Sequence, residues 1–298
     1  MVAIRITAAL VLGAGLALAQ ATPSSPTGSL QPRTQAVARP DDAESHFRRG
    51  DQLEKSGDLT GAEDEYKKSV QLQAKNPSAL GALAYLYFTQ QRYPQAEDAL
   101  RKFIALDPQN PKAHVQLGSV LLASNQNDNA AKEFSAAVGL APSDPNVLKQ
   151  VAKLYAAHQM FPQAAQHFSA LARLDPKDAD GHYGYGAVLM QQRNFPLAQN
   201  ELQQAVSLQP DLKEAYGDLA VAASENKNYV AAVRALDARS RYLPESAATY
   251  FLRATSYDHL KQLPAAAENY KRFLATDGGK NPNQEWQAKH RLVAIDKK

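Results

Sequence analysis

The sequence predicts an all-α protein: a solenoid of seven helix-turn-helix hairpins followed by one C-terminal capping helix. Two observations carry that expectation. Alanine stands at 62, 96, 130, 164, 198, 232 and 266, one every 34 residues with no insertion. Proline follows the same period at two places that suit helix ends: 94, 162, 196 and 264, then 108, 142, 176, 210 and 244. A strict long period means that one supersecondary unit has been copied and stacked.

In chain order, residues 1–21 read as a secretory signal. Arg5 supplies the positive region, residues 6–19 an apolar stretch, and Ala19-Gln20-Ala21 a small-x-small cleavage site. The stretch is short for a membrane span of about 20 residues. The expectation is therefore export, to the periplasm or outside the cell, with no span after cleavage. An uncleaved N-terminal anchor is the alternative. Residues 22–42 are rich in Pro, Ser, Thr and Gln without an apolar period and read as a disordered linker. Asp41 or Asp42 then offers the N-cap of the first helix.

Residues 43–280 divide into seven blocks: 43–76, 77–110, 111–144, 145–178, 179–212, 213–246 and 247–280. Position 8 of each block is small: Gly50, Ala84, Gly118, Ala152, Gly186, Ala220, Ala254. Position 20 is the alanine series. Position 24 is large and apolar: Tyr66, Leu100, Phe134, Phe168, Leu202, Leu236, Tyr270. Small residues facing large ones let two antiparallel helices, A and B, pack closely. Proline at position 18 suits the start of helix B, and proline at 32 stops it.

The last segment, 281–298, departs from the period. Asn281 is an expected N-cap and Pro282 a first-turn residue, and Ala288, Leu292 and Ile295 form a helical stripe. This is the expected capping helix, with Trp286 added to its covering face. Arg49 at position 7 of the first block suits a terminal repeat, whereas Arg253 at the same place in the seventh has no evident reason. Block 5 carries Gly181 and Gly184 beside the patterned Gly186; the extra glycines suggest a locally weak helix, a hinge, or a close ligand.

Composition excludes several functions. The chain has 298 residues, 44% hydrophobic and 21% charged, with a net charge of +3. That is ordinary for a folded soluble protein and too weakly basic to imply nucleic acid. Without cysteine it has no disulfide, no thiol chemistry and no Cys-based metal site. No zinc, nucleophile-elbow or phosphate-loop motif is present, so neither cofactor nor catalysis is expected. His114 and His182, at position 4, read as packing residues. Glu63-Asp64-Glu65 reads as a solvated charge run.

Leu117-Gly118 and Leu121, then Ala130, Phe134 and Pro142, resemble the tetratricopeptide repeat pattern, and the resemblance covers residues 43–280. It implies a right-handed superhelix with a concave face lined by helices A, and a role in protein–protein interaction. It also implies that positions 2, 5, 9, 12 and 13 of helix A face the groove. Those positions give Phe47, Tyr85, Phe88, Val115, Leu122, Lys149, Lys153, Tyr183, Met190 and Phe251 as candidate partner contacts, with Glu214, Glu225 and Asp258 further along. The clamp that some members use for chaperone C-termini is missing: Lys149 matches it, but Lys153, Gly184, Glu214 and Asp218 replace its other residues.

The expected function is thus an exported scaffold that holds a protein or peptide segment. Two alternatives stand beside it. One is a cell-wall glycan or polymer-binding module stacking sugars on Tyr183, Tyr85 and His182. The other is an accessory subunit of an envelope enzyme or assembly machine.

Overall fold

The computed structural model describes residues 42–297. The expected signal sequence and nearly all of the expected linker lie outside the described residues.

The fold is all-α. Among the described residues there are fifteen helices and no strand. Seven hairpins run α1 Ala43–Ser56 with α2 Leu59–Leu72, α3 Pro77–Thr89 with α4 Tyr93–Leu106, α5 Pro111–Ala123 with α6 Asn127–Leu140, and α7 Pro145–Ala157 with α8 Phe161–Leu174. They continue with α9 Ala179–Gln191 and α10 Phe195–Leu208, α11 Lys213–Glu225 and α12 Tyr229–Arg239, and α13 Ala247–His259 and α14 Leu263–Asp277. The capping helix is α15 Pro282–Asp296. The described residues form two compact units, one ending at Gln150 and the other beginning at Val151, and the division falls inside α7.

The turn inside each hairpin is set by backbone hydrogen bonds. The residue at position 15 is left-handed in all seven: Gly57 at φ 87°, then Gln91, Asn125, Gln159, Arg193, Lys227 and Lys261 at φ 59–63°. The next N–H donates back five residues, as in Arg92 N to Tyr87 O at 2.8 Å and Asn228 N to Ala223 O at 2.7 Å. This is a Schellman closure, which satisfies carbonyls that the helix end leaves open. Helix B consequently starts at position 17, one residue before its proline, which then occupies the second helical position. Proline is tolerated there because that N–H also lacks an intrahelical partner. Asp42 caps α1, accepting from Ser45 N at 2.7 Å.

Left-handed backbone costs a non-glycine residue roughly 1–2 kcal/mol, and part of that is offset because glycine loses more entropy on folding. Lys227→Gly, at an exposed turn, should therefore raise stability by about 0.5 kcal/mol. The readout is a higher urea midpoint with unchanged slope; a lower midpoint would contradict the assignment.

Helices A and B meet as the small–large pattern requires. All seven position-20 alanines are 0% exposed, and position 24 is buried throughout. A Cβ added to Gly50 would lie 2.6 Å from the Tyr66 ring, one at Gly118 2.4 Å from Phe134, and one at Gly186 2.6 Å from Leu202. The two extra glycines of α9 have the same cause. A Cβ on Gly181 would meet Leu171 at 2.8 Å and one on Gly184 would meet Phe168 at 2.5 Å. Side chains of α8 press against the α9 backbone, so the close approach is made by the protein itself.

Three further expectations are corrected. Arg253 is buried and pairs with Glu245 at 2.7 Å and Asp237 at 3.5 Å. It ties the connection that leads from the shorter α12 into α13. Glu63 and Glu65 are not solvated; only Asp64 of the run is exposed. Glu63 bridges α2 to the next hairpin through Arg92, at 2.6 Å, and Tyr87. The Arg92 guanidinium holds its carboxyl down to about 2. Trp286 does not cover the core; it is 63% exposed and lies over His290. The cover comes from Ala288, Leu292 and Ile295, which join Ala254, Ala266, Tyr270 and Phe273. Arg291 of the same helix grips Asp258 through Nε and Nη2 and keeps its carboxyl below the usual range. Asn281 sits at the N-cap, but its side chain donates to Asp277 instead of capping.

Candidate functional site

The helix-A positions named from the sequence separate into three groups. In the first unit Phe47, Tyr85, Phe88 and Lys149 are half-buried. The Phe47 ring lies 5.7 Å from Tyr66, and Phe88 lies 6.0 Å from Tyr93. Phe47 and Phe88 are thus each anchored on an aromatic ring of their own hairpin while remaining partly exposed. Val115 and Leu122 belong to a second group: they are 2% and 1% exposed. The sequence expectation fails for both as accessible contacts. Helix α5 also buries Leu117, Gly118, Ser119, Val120 and Leu121, and a helix buried around most of its circumference is a core helix.

The third group lies in the second unit, where Lys153, Tyr183, Met190 and Phe251 are half-buried. Lys153 reaches the next hairpin and pairs with Asp180 at 2.8 Å. Phe251 packs its ring against Tyr270 at 6.2 Å and Phe273 at 5.0 Å. Tyr183 and Met190 rest on the apolar cluster built from Leu189, Leu202, Leu219 and Leu236. Burial, with the nearby Asp218 carboxylate, pushes the Tyr183 hydroxyl well above its ordinary range. Burial likewise pushes the Asp218 carboxyl up. In the sequence Asp218 stood out only as a mismatch to the chaperone clamp, because it sits at position 6, outside the expected groove positions.

The position-4 histidines are more than packing residues. Their Nδ1 atoms face Glu65, Glu133 and Glu201 of the paired helix B at 2.7, 2.7 and 2.6 Å, from His46, His114 and His182 respectively. The Nε2 atoms of His114 and His182 also face the carbonyls of Pro108 and Pro176, at 3.3 and 3.2 Å. His182 is 7% exposed and offers no ring face to a sugar. His167 stacks on Tyr155 at 5.6 Å, and burial lowers its basicity. Among the described residues no group of three His, Cys, Asp or Glu could hold a metal ion. No helix of the described residues is long and apolar enough to cross a membrane.

Two clefts lie elsewhere. One of about 470 Å³ opens among α2, α3 and α4, over Leu80, Leu83 and Tyr87. The other, of about 240 Å³, is lined by Asp258, His259, Lys261 and Arg291. None of the ten candidate residues lines either. Within each unit the accessible candidates lie on open helix-A faces and not in a cleft, which suits a chain-like ligand better than a small molecule.

Stacked hairpins with half-open aromatic side chains define a protein-interaction scaffold. The tetratricopeptide repeat family model matches residues 82–145, 152–198 and 186–241. The chain belongs to the tetratricopeptide repeat family. No curated protein matches it. Among solved structures it is similar to the C-terminal part of a TPR repeat-containing protein from Cytophaga hutchinsonii, at 18% identity and TM-score 0.64, over 80% of this chain and 98% of that one. It is also similar to a tetratricopeptide repeat protein from Parabacteroides merdae, at 16% identity and TM-score 0.53, over 85% and 98%. A third is PilF of Pseudomonas aeruginosa, at 20% identity and TM-score 0.52, over 72% and 97%. At these identities the likeness is one of fold.

Proposed function

We propose that this protein is an exported scaffold that holds a segment of a partner protein against the helix-A faces of its hairpins. The observation that carries the reading is the set of half-buried aromatics, Tyr85, Phe88, Tyr183 and Phe251, at helix-A positions outside the close-packed sites. Apolar side chains left partly open mark contact surfaces. The mechanism is passive: aromatic anchors supply affinity, and charges along the helices set the register of the bound segment. Export rests on Arg5, the apolar stretch 6–19 and the Ala19-Gln20-Ala21 site. A glycan-binding role has less support, because His182 is turned into its hairpin and held by Glu201.

A photo-crosslinking residue placed at 85 in the native cell should give a discrete protein adduct, and one at 102, on the exposed side of α4, should give none. Equal labelling from both positions would overturn the groove assignment. The intact mass of the recovered protein tests export, since a chain still beginning at Met1 would contradict cleavage.

A further inference from the structure

We propose that the cleft among α2, α3 and α4 binds a single-chain aliphatic carboxylate, a medium-length fatty acid, with its tail on the apolar floor and its head at Lys67. The site lies in the first unit and goes beyond the scaffold role, since none of the helix-A candidates lines it.

The cleft has an origin in the sequence. In the third and fifth hairpins, position 4 of the block is histidine and position 23 is glutamate, and the two side chains bond across the hairpin. The second hairpin has Leu80 and Ala99 at these places. The alanine side chain ends at Cβ, so α4 leaves room where α6 and α10 carry a carboxylate. Leu80, Leu83, Tyr87 and Ala99 form an apolar floor, and Val70 of α2 stands beside it. The space is about 470 Å³, within the range of small-ligand pockets. At roughly 30 Å³ per non-hydrogen atom, the share of a water in the liquid, a chain of about twelve carbons with its carboxylate fills it.

The rim sets the sign of the ligand. Three charged side chains line the cleft: Lys67, Asp98 and Lys102. Asp98 is paired with Lys102 at 2.6 Å. Lys67 lies 2.6 Å from Glu63, but that carboxylate is also held by Arg92, which donates through Nη1 at 2.6 Å and Nη2 at 3.2 Å. The Tyr87 hydroxyl donates to it as well, at 3.2 Å. One negative charge thus faces two positive ones. The arginine, clamped through two bonds, is the stronger partner, so the surplus charge stands on Lys67 at the mouth of the cleft.

An apolar floor beside an unmatched cation suits a ligand with both characters. A small anion gains nothing from the floor, and a cationic amphiphile is repelled at Lys67. Hydrocarbon laid on the floor contributes in proportion to the area it removes from water, and a carboxylate head balances the lysine.

The test uses the full chain with isotope-labelled methyl groups and three probes below their micelle concentrations: dodecanoate, dodecyltrimethylammonium and acetate. Dodecanoate should bind saturably and shift the methyl signals of Val70, Leu80 and Leu83. Acetate should not bind, and the cationic amphiphile should bind about tenfold more weakly or less. Added salt should weaken dodecanoate binding. Lys67→Gln should weaken it about fivefold. Lys55→Gln, at an exposed lysine of α1, should leave it unchanged. Ala99→Leu, which fills the cleft from α4, should abolish binding. The glutamates of α6 and α10 show that helix B accepts a longer side chain at this position. Lys67 is exposed, so Lys67→Gln keeps the test decisive even where Ala99→Leu disturbs the hairpin. Equal affinity for the two amphiphiles, or wild-type affinity in Lys67→Gln, would overturn the proposal. So would methyl shifts confined to residues away from the cleft. None of these outcomes touches the helix-A surface, whose crosslinking test stands separately.

Discussion

Phe273→Ala should destabilise the C-terminal part of the second unit by about 3–5 kcal/mol. Phe273 is 0% exposed and lies at the centre of the cluster that joins α13, α14 and α15. Its ring meets Phe251 at 5.0 Å, and Ala288 of the capping helix is buried in the same cluster. Truncation removes the transfer free energy of a large side chain and leaves a cavity that rigid neighbours cannot fill. In a stacked array each layer depends on the next, so the loss should be local. Hydrogen exchange should show α15 and α14 losing protection first, with α3 and α5 unchanged. A uniform loss, or one below about 1 kcal/mol, would mean that another contact holds the cap.

The second large effect concerns the glycines of α9. Gly184→Leu should cost about 3 kcal/mol or more, and Gly184→Ala about 1–3 kcal/mol. The first added carbon falls 2.5 Å from Cζ of Phe168, which is 1% exposed and has no room to retreat. Gly217 supplies the control. A Cβ there lies 3.8 Å from Arg239, an ordinary contact, so Gly217→Ala should stabilise by up to about 1 kcal/mol through helix propensity alone. Denaturant midpoints of the two alanine variants should move in opposite directions. If both rise, α9 is a helix weakened without a packing reason, and a hinge there becomes the better account.

Much of the fold was legible because it is written many times. The small residue at position 8 and the large one at position 24 recur in every block, and contacts such as Gly118 against Phe134 explain both. The capping stripe Ala288, Leu292 and Ile295 followed from helical spacing alone. What escaped the sequence was contact between neighbouring hairpins. Periodicity shows which face of a helix is apolar, but not which side chain of the preceding helix B lies against it. Gly181 and Gly184 were therefore unexplained until Leu171 and Phe168 were seen beside them. The charges of Glu63, Glu65 and Arg253 were likewise ambiguous, because a long polar side chain on a helix looks the same whether it meets water or the next layer.

The candidate surface was legible in outline only. Tyr85, Phe88, Tyr183 and Phe251 remain partly open, whereas Val115 and Leu122 at equivalent positions are enclosed. Burial at those positions depends on the local environment of each helix, which position within a block does not specify. Asp218 stood out only as a mismatch because the partial burial that pushes its carboxyl up depends on neighbouring helices, which position within a block does not specify.

The histidine–glutamate pairs have a longer rhythm than the chain's spelling. His46, His114 and His182 are 68 residues apart, and so are Glu65, Glu133 and Glu201. In the second block Leu80 and Ala99 stand at the same two places. The first, third and fifth hairpins are thus latched by a histidine–glutamate hydrogen bond, whereas the second is closed at the same place by hydrocarbon. The members of each couple cannot be inherited separately: leucine opposite Glu133 would strand a half-buried carboxylate, and histidine opposite Ala99 would strand an imidazole N–H. Any natural shuffling or laboratory splicing of these units must carry both partners together, which makes the whole hairpin, and not the single helix, the smallest exchangeable part.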